Sequence, residues 1–430
     1  MKNNIIKNKG YILLKNGRVY DSFTKMDEMK DILVCNGVIS KIGSNIEKKS
    51  NYHEIDCRDK VITNGFIDLH SHFREPGFEF KETIETGSNA AFIGGYTRVC
   101  TMPNTSPVID TPELVKHTIN LSEKLPVYIY PIGAITKNQE GLELSEIGEM
   151  VAAGAVAISD DGLPLKNSQI MRYALEYTKK FNIPVINHAE DCCLVNDGLM
   201  HEGITSLKLG LTGNPDISES TMIYRDLSIA EYVGGKLHIP HVSTKKSLEI
   251  IAFFKERGVN VSVEVTPHHL CFTDEKLNNY NTNAKVAPPI RSLDDRNALI
   301  EAVKEGVIDC IATDHAPHSI TDKERDFQNA SCGMIGLESA FGLVNRMLCN
   351  DLSIKRIINL FTLNPSKIMN IKPNDISVGN EAEINIINFN EEWKFNKSDI
   401  ISKSKNSPVI GETLKGKIIM TMNRGFISNL

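Results

Sequence analysis

The stretch "FIDLHSHFREPG", from Phe66 to Gly77, sets His70 and His72 two residues apart, with Arg74 two residues further on. Strand side chains alternate between faces, so these two imidazoles share a side while Leu69 and Ser71 face away. Imidazoles on one side can share a divalent cation, and a neighbouring guanidinium can grip an anion through paired N–H donors. Comparable residues recur where apolar runs end. Asn104 follows in "TMPNTSP", Asp160 and Asp161 in "AISDDG", His188 in "NHAED" and His241 in "HIPHVST". Asp314, His315 and His318 close the series in "IATDHAPH". A lone histidine at a strand end is usually just a satisfied polar residue. Four histidines and two aspartates from five strand ends are harder to dismiss. Nitrogen and carboxylate donors without thiolate suit Zn²⁺ or a similar ion, and a bridging carboxylate would let them hold two ions about 3.5–4 Å apart.

Such a convergence needs a scaffold that brings strand ends together. Eight candidate strands alternate with helical patterns: Phe66–His72, Thr97–Met102, Val127–Ile132, Ala155–Ser159, Ile183–Asn187, Lys236–Pro240, Asn260–Val265 and Ile308–Thr313. Segments such as "PELVKHTINLSEKL", "NSQIMRYALEYTKKFN" and "SLEIIAFFKERG" supply the helices. This alternation predicts an α/β protein with a parallel sheet and right-handed crossovers. Eight units closing on themselves give a (β/α)8 TIM barrel with its chemistry at the C-terminal strand ends; an open doubly wound sheet fits the same alternation. The first sixty residues and the last sixty read instead as short β runs, with Asn-Gly pairs as hairpin signals. They predict one small flanking β-sandwich domain built from both chain ends, residues 1–64 and 371–430, beside a barrel at 65–370.

At 430 residues, 41% hydrophobic and 24% charged, the chain is long enough for one large domain plus a smaller one. A net charge of -6 without any long basic run argues against nucleic acid as a partner. No apolar stretch approaches the roughly 20 residues that span a bilayer, so no membrane partner is expected. The N-terminus is too broken for a signal peptide. Nine scattered cysteines without a CxxC pair suggest neither a disulfide framework nor a zinc knuckle, which points to a cytoplasmic protein with reduced thiols. Several polar residues read as structural. His238 lies mid-strand and packs, His268 and His269 line the mouth or cap a helix, and Cys192 and Cys193 are buried rather than reactive. Asp68 shapes its strand end through hydrogen bonds, or supports a ligand histidine from behind.

Taken together, "GFIDLHSHFREPGFEFKETIETGSNAAFIGGYTRVCTMPNTSPVID", "AISDDGLP", "NHAED", "HIPHVST" and "IATDHAPHS" with "GMIGLESAFGL" closely resemble the dihydroorotases of the cyclic amidohydrolase superfamily. The resemblance covers nearly the whole chain. It implies a zinc enzyme, with two ions per subunit, that interconverts L-dihydroorotate and N-carbamoyl-L-aspartate in pyrimidine (UMP) synthesis. Carried over by motif, His70 and His72 hold the first zinc, Asp161 bridges, and His188 and His241 hold the second. Asp314 touches the first metal and serves as general base and acid. Arg74 and Asn104 read the substrate carboxylate and His318 contacts the ring; His72, Ala287, Cys332 and Gly333 fall at further substrate-contact positions. The resemblance also implies a homodimer and association with aspartate transcarbamoylase.

Two positions depart from the family pattern. Ala287 in "AKVAPPIR" stands where dihydroorotases usually carry asparagine, and Ser331-Cys332 stands where they usually show Pro-Phe. Allantoinase or dihydropyrimidinase is the nearest alternative, since Ala-Pro-Pro is familiar there. Those enzymes bridge their metals with a carboxylated lysine on strand four, and "GAVAISDDG" offers none. The other alternative is a non-catalytic dihydroorotase-like subunit, although every ligand position is intact.

Overall fold

A computed structural model of the chain describes residues 4–372 and 374–429. Eight short parallel strands occupy its middle: Phe66–Ser71, Tyr96–Thr101, Tyr128–Pro131, Ile158–Ser159, Val185–Ile186, Leu237–Ile239, Val261–Val265 and Cys310–Ile311. They form one arc of three and one of five. Parallel bridges join the arcs on both sides, Gly133 to Ile158 and Ser71 to His315. All eight predicted strands are present, most of them shorter than the apolar runs that announced them.

The helices have local reasons for their limits. Pro112–Leu121 starts with proline at its first position, where a missing N–H costs nothing. Ser168–Thr178 is capped by the Asn167 side chain, and Lys245–Glu256 by Thr244, whose hydroxyl accepts from Ser247 N at 3.2 Å. Among the described residues no helix is long and apolar enough to cross a membrane.

Both chain ends meet in one nine-stranded sheet. Its order runs Ile5–Lys7, Phe426–Ser428, Thr413–Asn423, Ile384–Lys394, Val61–Asn64, Tyr11–Tyr20, Asp27–Cys35, Val38–Gly43, with Tyr52–Asp56 also paired to Tyr11–Tyr20. The Asn-Gly signals divide into two kinds. Asn36-Gly37 makes the expected two-residue turn, both residues at positive φ between paired Cys35 and Val38. Asn16-Gly17 instead lies inside a strand as a register slip, where Asn16 N donates to Asp31 Oδ1 at 2.9 Å. A positive φ serves a bulge as well as it serves a turn.

A buried bidentate ion pair fastens this sheet to the central strands: Arg98 Nε and Nη2 donate to Glu383 at 2.7 and 2.8 Å. Asn385 and Asn423 add side-chain bonds to Gly95 O and Thr97 O. Residues 400–407, between two strands of the sheet, leave it and cross back over the central unit. There Glu338 Oε1 accepts from Ile401 N and Ser402 N, and Glu82 accepts from Lys403 N.

Candidate metal centre

A cavity of about 490 Å³ opens where the central strands end. It is lined by His72, Arg74, Asn104, Asp161, His188, His241, Ala287, Asp314, His318, Cys332 and Gly333, among others. His70 is fully buried beside them. Twelve residues named from far-apart stretches of sequence therefore converge on one place.

Asp161 is the centre of the arrangement. Its Oδ2 lies 3.4 Å from both His70 Nε2 and His72 Nε2, while its Oδ1 lies 3.5 Å from His241 Nε2 and 3.8 Å from His188 Nδ1. Asp314 Oδ1 stands 3.1 Å from His72 Nε2 and 3.5 Å from His70 Nε2. The neighbouring Asp160 turns away, accepting from Ile135 N at 2.8 Å and Thr136 N at 3.1 Å. The two aspartates of one motif thus have separate tasks, one tying down the loop and one facing the histidines.

The donors fit cations. His70 Nε2 and Asp161 Oδ1 are buried without a hydrogen-bond partner. His188 Nδ1 and His241 Nε2 lie 3.1 Å apart, although the His188 ring already directs Nε2 to Glu190 Oε2 at 2.9 Å. If that outer nitrogen carries the proton, Nδ1 presents a lone pair. Two sets, His70 with His72 and Asp314, and His70 with Asp161 and His241, bring their ligand atoms within 4.8 Å of one another. Burial disfavours charge on His70, but Asp161 and Asp314 outweigh it and hold its pKa well above the ordinary value. Asp161 is likewise held far below the usual carboxylate range: burial opposes this, and the surrounding histidines prevail.

The outer nitrogens are fixed as well. Glu264 accepts His70 Nδ1–H at 2.8 Å, Glu190 partners His188, and Asn104 Oδ1 lies 2.9 Å from His72 Nδ1. Partners of this sort set the tautomer and aim of a metal-binding imidazole. Sequence reasoning missed Glu190 and Glu264. A signal existed: "VSVEV" carries one charged residue inside an apolar strand, and that strand is Val261–Val265. His238 is buried as expected but paired, with Nε2 3.0 Å from Glu264 and Nδ1 2.8 Å from Ser262 Oγ. Asp68 shapes its strand end, accepting from Thr313 N at 2.8 Å and from the Ser71 hydroxyl. Its burial pushes the carboxyl up to about 6. Cys192 and Cys193 correct the expectation of buried thiols. They open a short helix at the cavity rim, where Cys192 is half-buried and Cys193 exposed.

On the opposite wall, Arg74 donates from Nε to Pro317 O at 3.2 Å and from Nη2 to His318 Nε2 at 3.3 Å. Burial first, and then the cations Arg74 and Lys81, pull His318 down to about 2, so it is a neutral imidazole. Gly333 is held at φ +131, and a Cβ there would come within 3.0 Å of the His318 ring and 2.8 Å of Ala316 Cβ. Arg74, His241 and Asp314 all adopt positive φ, at 61°, 34° and 46°. Non-glycine residues rarely take that region, and they concentrate at functional sites when they do.

A family model described as dihydro-orotase-like matches residues 59–247. The dihydroorotase of Ruminiclostridium cellulolyticum is 45% identical over 409 residues, 94% of this chain and 95% of that protein. The dihydroorotase of Acetivibrio thermocellus is 45% identical over 417 residues, covering 96% and 98%. Among solved structures, an L-hydantoinase (dihydropyrimidinase) from Arthrobacter aurescens superposes with a TM-score of 0.84 at 25% identity, covering 97% of this chain and 95% of that one. Over nearly its whole length this chain shares that amidohydrolase architecture, a mixed α/β unit beside a β-rich one. Near-full-length identity at this level places the chain in the dihydroorotase family, among the metal-dependent cyclic amide hydrolases.

Proposed function

We propose that the chain catalyses the reversible hydrolysis of L-dihydroorotate to N-carbamoyl-L-aspartate, the ring-closing step of pyrimidine synthesis when run backward. The observation that carries this reading is Asp161, which turns one oxygen to each pair of histidines. Two zinc ions per subunit would suit that donor set: His70, His72 and Asp314 would hold one, His188 and His241 the other, and Asp161 has an oxygen for each. When bound, such ions acidify a water and polarise a carbonyl oxygen. Asp314 takes the proton of the attacking water at its carboxylate and delivers it to the ring nitrogen as the amide C–N bond breaks. The surrounding histidines hold Asp314 below the ordinary carboxylate range despite its burial, which keeps it ionised.

Arg74 and Asn104 hold the substrate carboxylate, and neutral His318 lies against the ring. Ala287, Cys332 and Gly333 shape the remaining wall. Among the described residues no lysine lines the cavity, which disfavours a carboxylated-lysine bridge of the kind expected for allantoinase or dihydropyrimidinase. Closure of the eight strands into a (β/α)8 barrel, with the division at 1–64, 65–370 and 371–430, belongs to the same reading. So do a homodimer, association with aspartate transcarbamoylase and a cytoplasmic location.

Turnover of dihydroorotate, allantoin and dihydrouracil by the zinc-loaded protein is the test. Activity on dihydroorotate alone is expected, and activity confined to the other two overturns the assignment. Asp314→Ala is expected to abolish turnover while the protein still holds at least one zinc by metal analysis.

A further inference from the structure

Asn104 stands three residues beyond the second central strand and touches two others. Its Oδ1 lies 2.9 Å from His72 Nδ1, and its Nδ2 donates to the Asp161 carbonyl at 3.3 Å. The amide nitrogen also lies over Gly162, where a Cβ would approach it to 3.2 Å. A histidine that offers Nε2 to a cation carries its proton on Nδ1, so an acceptor must face that proton. The asparagine oxygen is that acceptor. An asparagine amide has two N–H groups; one reaches Asp161, and the second remains for a ligand in the cavity that Asn104 lines.

We propose that Asn104 is a positioning residue for the metal centre as well as a reader of the substrate carboxylate. Its oxygen fixes the His72 ring with Nε2 towards the first cation, and its nitrogen ties the backbone of Asp161 to the same point. The proposal deepens the reading of the site as a two-cation dihydroorotase centre and rests on it. It differs from the role of Glu264 and Glu190, which hold their histidines without lying on the substrate's carboxylate side. One amide thereby links the anion-binding wall to the metal wall.

The two ends of the amide can be separated by substitution. Asn104→Ala removes both, whereas Asn104→Asp keeps an oxygen for His72 but replaces the N–H donor with negative charge. Zinc affinity is measured on the purified protein by competition with a chromophoric chelator, without turnover, and KM and kcat for carbamoyl-aspartate cyclisation are measured separately. Asn104→Ala is expected to weaken zinc at one site by about 10–100-fold, the usual effect of losing an outer partner. Asn104→Asp keeps the His72 acceptor but loses the tie to Asp161, so it is expected to weaken zinc less than Asn104→Ala does while KM rises at least about tenfold. Parent-like zinc affinity in Asn104→Ala overturns the positioning role. So does a zinc loss in Asn104→Asp as large as in Asn104→Ala. An unchanged KM in Asn104→Asp instead overturns the carboxylate-reading role and leaves the positioning role standing.

Discussion

Each metal-facing imidazole with a held outer nitrogen depends on a residue that never touches the cation. Glu264 is fully buried between His70 and His238 and is drawn down to about 2: burial opposes the charge, and the two histidines overcome it. Glu264→Ala is expected to weaken zinc by about 10–100-fold, read by chelator competition, and to leave His238 without its acceptor. Unchanged affinity would mean that packing alone aims His70. On the substrate side, Ala287 leaves a wall of the cavity without a hydrogen-bonding group. Ala287→Asn is expected to lower KM for dihydroorotate about tenfold, the effect of one added bond to a charged ligand. An unchanged KM would show that the pocket is organised differently.

At the scale of elements, the strand ends bring the ligands, but the loops after them decide their aim. Residues 400–407 reach the cavity wall from the far end of the chain. Asn406 Nδ2 donates to Ala316 O and Gly333 O at 3.1 Å each, and His318 N donates to Asn406 Oδ1 at 3.0 Å. That side chain therefore pins both loops that face Arg74. Asn406→Ala leaves the Ala316 carbonyl without its donor and His318 N without its acceptor, at a cost of about 1–3 kcal/mol. It is expected to raise KM several-fold while zinc content stays at the parent level; loss of zinc instead would place its effect on the whole fold. Nothing in the sequence of 400–407 resembles a site, because the contacts of Asn406 with the cavity wall lie more than 70 residues away.

For the whole molecule, cation binding and folding are linked. Ions that bind the folded chain and not the unfolded one stabilise it by about 4 kcal/mol at a thousandfold excess over Kd. Without them the cluster of histidines and carboxylates has no cation to share. Removing zinc with a strong chelator is expected to lower Tm by several degrees, with recovery on adding zinc back; an unchanged Tm would show that the site is held rigid by protein bonds alone. The Arg98–Glu383 pair ties the unit at the chain ends to the central strands, and removing one partner would leave the other charge buried and unpaired.

The sequence by itself determined the alternation of eight strands with helices and the histidines and aspartates at the strand ends, while Ala287, Cys332 and Gly333 were named only through the family resemblance. It did so because strand period, helix caps and ligand types are local properties, readable within a few residues. The family pattern already chose Asp161 over Asp160; only the tertiary structure showed what Asp160 does instead, accepting from the backbone of Ile135 and Thr136. It likewise assigned Glu264 and Glu190 to particular nitrogens, set positive φ at Arg74, His241 and Asp314, and turned Asn16-Gly17 into a bulge. Those outcomes depend on contacts between segments distant along the chain, where burial and geometry, not residue type, choose the partner.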